Sequence, residues 1–367
     1  MRIAVTHAFC WPEVRRGAER YIQSLGAALV GRGHDVVILS AGWAPETTEL
    51  DGVRTVRFRR IARDDRHHER HFGARVLPPL LTGRFDAVHS MGRHDAVASI
   101  LAASAHPSRR TVFTDLGAPD RAWWRTQGRA EELAVRRVVR SIDVYGCMSR
   151  WALSFLDRDW HRADGVVTPG GVDLADFRPA GRHATPTLLF SGAVDEARKG
   201  VADLLQALAL VSRYVPDIRL QLSGPGDARA LLAGAPPGVA DRVEVLGRGS
   251  PDEQALRYAR ASLTVLASTH DSFGMALVES LACGTPLVVT THGAPKELVD
   301  PGVTGELCAP HDPPGLADAI LRGLALTAAP GTVEACRASA ARFDWATSLA
   351  PAAEHLYRGE PPPAPWA

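Results

Sequence analysis

Alternation is what most restricts the fold of this chain. Short apolar runs recur between segments of helical period, and they do so in two successive series. In the first, Arg2–His7 reads as a strand, Ala18–Arg32 as a helix with Tyr21, Ile22, Leu25, Ala28 and Leu29 on one face, and Val36–Leu39 as the next strand. Gly33 supplies the helix stop. Strand, helix and strand, all apolar, imply a right-handed parallel unit. Val53–Phe58, Asp86–His89, Thr111–Thr114 and Val166–Thr168 read as further strands, and Glu131–Ile142 as a helix that packs through Leu133, Val135, Val138, Val139 and Ile142.

After a linker at Phe177–Pro186 the alternation resumes through Thr187–Ser191, Val201–Tyr214, Ile218–Leu222, Val243–Leu246, Ala255–Arg260, Leu263–Ala267 and Leu287–Thr290. A chain of 367 residues is too long for one ordinary core, and its 46% hydrophobic and 23% charged residues suit a globular protein. The expected fold class is therefore α/β, as two domains with parallel sheets.

Chemistry concentrates in Thr269–Pro286, THDSFGMALVESLACGTP. Asp271 and Ser272 are suited to N-capping a helix that carries Met275, Ala276, Val278, Leu281 and Ala282 at helical spacing until Cys283-Gly284-Thr285-Pro286 stops it. The apolar run Leu263–Ala267 precedes it, so the amides of Phe273, Gly274 and Met275 would face the space above a strand's C-terminal end, a place that favours phosphate. Glu279 lies two turns along with its carboxylate leaning back, where it could accept from a sugar's paired hydroxyls; an ordinary surface glutamate is the alternative.

An acid, seven residues, then Glu, with Phe-Gly after the first acid and Gly-Thr-Pro after the second, resembles the signature of the retaining glycosyltransferases of family four. The likeness covers nearly the whole chain. Ser191–Gly200, SGAVDEARKG, is similar to that family's donor-phosphate segment, especially in its actinobacterial phosphatidylinositol mannosyltransferase members. Arg16–Glu19 resembles its N-terminal glycine loop, and Asp86–Gly92 and Thr168–Asp173 resemble two further landmarks.

The resemblance implies the GT-B plan, two Rossmann-like domains facing across a cleft. These would be an acceptor-binding domain over 1–178, completed by a crossover helix within 343–367, and a nucleotide-sugar-binding domain over 179–342. It implies transfer of a hexosyl-type group from a nucleotide-diphosphate sugar to a hydroxyl acceptor, small or lipid-linked, with retention and with neither metal nor cofactor. Lys199 and Arg198 would stabilise the leaving diphosphate together with Phe273, Gly274 and Met275, Asp271 would touch the transferred sugar, and Glu279 would hold the ribose. Gly224 and Arg248 would line the base pocket, and Arg16 and Gly17 would meet phosphate or an anionic acceptor. Lys199 stands out because Lys296 is the chain's only other lysine.

Four positions depart from the family pattern, one of them Asp271, where a glutamate is common. Arg16 replaces the first loop glycine, Ala193 replaces the usual arginine of the phosphate segment, and Thr114 stands where a histidine is usual, which makes the adjacent Asp115 the candidate for a replacement contact or a catalytic base. A degenerate nucleotide-sugar-binding partner protein, or a sugar-nucleotide epimerase on the same fold, are the rival readings.

Other features narrow the class. A net charge of +1 excludes a bulk polyanion binder such as a nucleic-acid protein. The five cysteines share no metal-ligand spacing, and Asp157-Arg158-Asp159 sits in a helical pattern, so neither suggests a metal site. The Arg-rich, His-containing segment 59–75 reads as a solvated loop or as a loop touching acceptor or membrane surface. The start Met1–Val5 reads directly as a strand, which points to a cytoplasmic protein, or one peripheral to the inner membrane face. Trp123-Trp124, flanked by Arg121 and Arg125, either stacks on a sugar or packs.

Overall fold

In the computed structural model, which describes residues 1–61 and 64–364, the long apolar runs become inner strands of two sheets. The first compact unit comprises Met1–Gly171 and the residues from Trp345 onward, the second Val172–Asp344.

The first unit holds β1 (Arg2–Thr6), β2 (Asp35–Gly42), β3 (Glu46–Leu50), β4 (Val53–Arg59), β5 (Ala87–Ser90), β6 (Arg110–Asp115), β7 (Val144–Cys147) and β8 (Val166–Val167), in the order β3-β4-β2-β1-β5-β6-β7-β8. All pairings are parallel except β3 with β4. The strand β3, Glu-Thr-Thr-Glu-Leu, is exposed throughout and carries no apolar signal; pairing with β4 makes it a strand.

Within the segment 59–75, the residues from Asp65 onward are not a loop. After β4, a helix spans Asp65–Thr82, N-capped by Asp64, whose side chain accepts from the His67 amide. His68, Phe72, Val76 and Leu80 form its buried stripe at four-residue intervals, so burial of that stripe, not solvation, fixes the segment. Residues 62 and 63 lie outside the described residues.

The second unit holds β9 (Thr187–Ser191), β10 (Arg219–Ser223), β11 (Val243–Gly247), β12 (Leu263–Leu266), β13 (Leu287–Thr290) and β14 (Gly305–Cys308), all parallel in the order β11-β10-β9-β12-β13-β14. The unit begins at Val172 because the Val172 amide bonds the Phe343 carbonyl at 2.9 Å, and Phe177, expected to open a linker, is buried against Tyr258. The final helix, Ala350–Arg358, returns to the first unit, where Tyr357 meets His89 and Glu354 is gripped by Arg32 (2.6 Å) and His34 (2.8 Å).

Candidate functional site

In a parallel sheet the loops leaving the strands' C-terminal ends are where side chains converge on ligands. In the second unit, β9 leads to a short 3₁₀ turn, Ala197–Lys199, and β12 to the loop before the helix Met275–Ala282. Gly200 lets these loops meet. At φ +71° it approaches so closely that a β-carbon would overlap the Ala267 carbonyl, and the Thr269 amide bonds the Arg198 carbonyl at 2.9 Å.

That contact sets Lys199 Nζ 2.8 and 3.0 Å from the two Asp271 oxygens, with Arg198 2.7 Å from Oδ1. Burial pushes the Asp271 carboxyl up, but Lys199, with Ser268 and Arg198, outweighs this and holds it below its ordinary value. Asp271 therefore does not cap the helix. Gly274, at φ +117°, is the N-cap residue and supplies no side-chain cap bond. Phe273 turns inward against Phe343 and is buried. Met275 is half-buried at the helix start.

Glu279 is not a surface residue: it is 5 % exposed. Its carboxylate reaches the Tyr258 hydroxyl, which lies 2.9 Å from Ser191 Oγ, and burial together with Glu279 pushes the Tyr258 phenol well up. Ser191 also takes Gln254 Nε2 (3.2 Å), Gln254 Oε1 takes Ser223 Oγ (2.7 Å), and Arg257 bonds both Ser223 Oγ (2.8 Å) and the Gly247 carbonyl (2.9 Å). A continuous polar network thus runs beneath the C-terminal ends of β9, β10 and β11. Sequence reasoning missed Ser191, Gln254 and Tyr258; the signal available was a serine ending each of two apolar strands. Gly224 serves close packing, since a β-carbon there would overlap the Gly192 carbonyl, and Arg248 is exposed just past β11. A cavity of about 430 Å³ among His183, Arg219 and Arg242 lies at the opposite, N-terminal ends of these strands, away from this chemistry.

In the first unit the expected contacts turn inward. Thr114 is fully buried, with Oγ1 2.8 Å from His89 Nε2 and 3.0 Å from Thr168 Oγ1, so its hydroxyl is committed to the core. Asp115 accepts from the Tyr145 hydroxyl (2.8 Å) and the Gly117 amide (3.0 Å), and burial raises its carboxyl. Arg16 folds onto Glu19 (3.0 Å) and Asp65 (3.5 Å) and stacks over Phe9. Gly17 is the exposed first residue of the helix Gly17–Gly31. Trp124 is buried beneath Arg93 while Trp123 stays half exposed, so the pair divides between packing and solvent.

Residues 15–176 match the family model described as Glycosyltransferase Family 4, and residues 185–325 the model described as Glycosyl transferases group 1. The chain belongs to the family 4 glycosyltransferases. It is 35% identical over 214 residues to the phosphatidyl-myo-inositol mannosyltransferase of Mycobacterium tuberculosis H37Rv, a match covering 54% of this chain and 56% of that protein. The chain thus spans about half the length of that relative. Its fold is GT-B: sucrose-phosphate synthase from Thermosynechococcus elongatus superposes with a TM-score of 0.82 at 22% identity, covering 98% of both chains. Anabaena HepE in complex with UDP and glucose superposes with a TM-score of 0.74 at 19% identity, covering 98% of this chain and 100% of that one.

Proposed function

We propose that this glycosyltransferase moves a hexosyl group from a nucleotide-diphosphate sugar to a hydroxyl acceptor, with retention and without a metal. The observation that carries the reading is the convergence of Lys199 and Arg198 on Asp271 beside the start of the helix Met275–Ala282. Departure of a nucleoside diphosphate develops negative charge, and two cations at a loop leading into a helix N-terminus are suited to meet it. A uridine nucleotide is the first donor to try, since UDP is what HepE holds in its crystal structure. Asp271, paired with two cations, is suited to accept from a hydroxyl of the transferred sugar rather than to attack its anomeric carbon. Glu279 remains the candidate for the ribose, with Tyr258 orienting its carboxylate.

Proton NMR of the first product formed from a UDP-sugar in chelator-treated buffer tests this. A retained anomeric configuration is expected, and an inverted product or full chelator sensitivity refutes the mechanism. The degenerate-binder reading draws on Thr114, which is sealed in the core where the family usually presents an imidazole. Nucleotide-sugar binding with no turnover on any acceptor would favour it. Among the described residues no helix is long and apolar enough to cross a membrane. If the acceptor is lipid-borne, the outward Arg66, His67, His71 and Arg75 of the helix Asp65–Thr82 are suited to meet an anionic bilayer, and vesicle flotation checks it.

A further inference from the structure

At the N-terminal ends of β9, β10 and β11 the sheet register sorts charge by level. Leu220 pairs with Val243 and Gln221 with Glu244, so Arg219 and Arg242, each one residue earlier, fall at one level and Gln221 and Glu244 at another. Residues two apart on a strand point to the same face, about 6.6 Å along it. The Gln221 amide donates to Glu244 Oε2 at 2.8 Å. These four side chains, with Asp241 and His183, line one cavity of about 430 Å³ that lies wholly within the second unit. Arg219, Asp241 and Glu244 are exposed and Arg242 and Gln221 half-buried, so the cavity opens to solvent. Its volume falls within the roughly 300–1,000 Å³ of small-molecule sites.

Among the described residues none of the four charges is ion-paired. Arg219 donates to the Asp241 carbonyl at 2.8 Å and Arg242 to the Pro216 carbonyl, while Glu244 is met by the neutral Gln221 amide. Like charges side by side on a sheet are costly, and the two guanidiniums outnumber the single Asp241 carboxylate beside them. An acidic group with several oxygens can take N–H bonds from both forks. One level further on the sign reverses, because Glu244 stands there with no cation beside it. A plain anion filling the cavity would meet Glu244, and a plain cation would meet the arginines. A molecule with one charge of each sign, about two strand residues apart, meets neither repulsion.

We propose that this cavity binds a small zwitterion, its acidic group on Arg219 and Arg242 and its ammonium on Glu244 beside Gln221. The site is separate from the loops of Lys199 and Asp271, which lie at the other ends of the same strands, and it stands whether or not the donor reading does. An amino-sugar phosphate and a long-chain amino acid share the chemistry.

Calorimetry and saturation-transfer NMR on the full chain test it, with glucosamine 6-phosphate and 6-aminohexanoate as zwitterions of suitable span. Glucose 6-phosphate and glucosamine, which each keep one charge of the first, and glycine, whose charges stand too close, are the controls. At least one long zwitterion should bind, and every control should bind roughly tenfold more weakly or worse. Glu244→Gln, and separately Arg219→Gln combined with Arg242→Gln, should each lower the zwitterion's affinity by roughly tenfold or more while the melting temperature holds. Tighter glucosamine 6-phosphate supports the site with a phosphate as its acid, and tighter 6-aminohexanoate supports it with a carboxylate. The proposal is overturned if neither long zwitterion binds, if a control binds as well, or if both variants bind like the parent chain. Displacement of the zwitterion by UDP would place it in the other site and overturn the proposal too, whereas a chain that binds the zwitterion and no UDP sinks only the donor reading.

Discussion

Lys199 and Asp271 stand 72 residues apart in sequence, and in the fold the lysine Nζ lies within 3.0 Å of both carboxylate oxygens. The pair locks the loop after β9 to the loop after β12. A donor diphosphate bound there, as proposed, would compete for the same lysine and open this pair.

Lys199→Ala should lower turnover by roughly 10²-fold if the lysine stabilises departing charge. Folding should suffer less, because Arg198 still faces Asp271 at 2.7 Å. Steady-state kinetics beside a melting curve separates the two effects. Near-normal turnover would assign the charge to Arg198.

Glu279→Gln should weaken nucleotide binding by about 1.5–3 kcal/mol, the worth of a hydrogen bond to a charged acceptor. Tyr258→Phe is the companion variant. If Tyr258 only orients the carboxylate, its loss should cost a fraction of that amount in calorimetry, and unchanged affinity in Glu279→Gln would place the ribose elsewhere.

Gly200→Ala should destabilise the second unit by about 1–3 kcal/mol, since a left-handed φ of +71° and a clash with the Ala267 carbonyl both oppose a side chain. A lowered melting temperature with impaired nucleotide binding is expected, because this approach is what seats Lys199. A melting curve matching the parent's would show that the two loops are held together by other contacts.

Glu354 gives a pH dependence. Its hydrogen bond from Arg32, with His34 adding to it against a smaller opposing effect of burial, holds its carboxyl down to about 2. In the unfolded chain a glutamate titrates near about 4.3. The folded value is the lower one, so the contribution is fully present above about 4.3 and is lost as pH falls from there toward about 2. Acid unfolding of the parent chain should therefore show a loss of stability in that window, and in Glu354→Gln this component should be absent, with lower stability at neutral pH.

The inner strands were legible because parallel sheets bury both faces and leave unbroken apolar runs, as in Ile3–Val5 and Leu263–Leu266. The helix Asp65–Thr82 was not, because its stripe begins with a histidine, and Gly73, Pro78 and Pro79 read as breakers. In the site, the signature loop was legible from its spacing, but its capping was misread: the ion pair from Lys199 draws Asp271 away from the helix, and tertiary contact overrides local preference. The seclusion of Thr114 was invisible for a related reason. It depends on His89 being pinned by Tyr357, 268 residues further on, and no local pattern carries that.

The return of the chain to its first unit has a consequence for synthesis on the ribosome. Tyr21, His89 and Arg32 await Trp345, Tyr357 and Glu354, and the whole of Val172–Asp344 is translated in between. At about 5–20 residues per second that interval lasts on the order of ten to thirty seconds, during which the earlier unit waits incomplete while the later one is made. Birth order and completion order are inverted, so a premature stop before Glu354 damages the part of the protein made first.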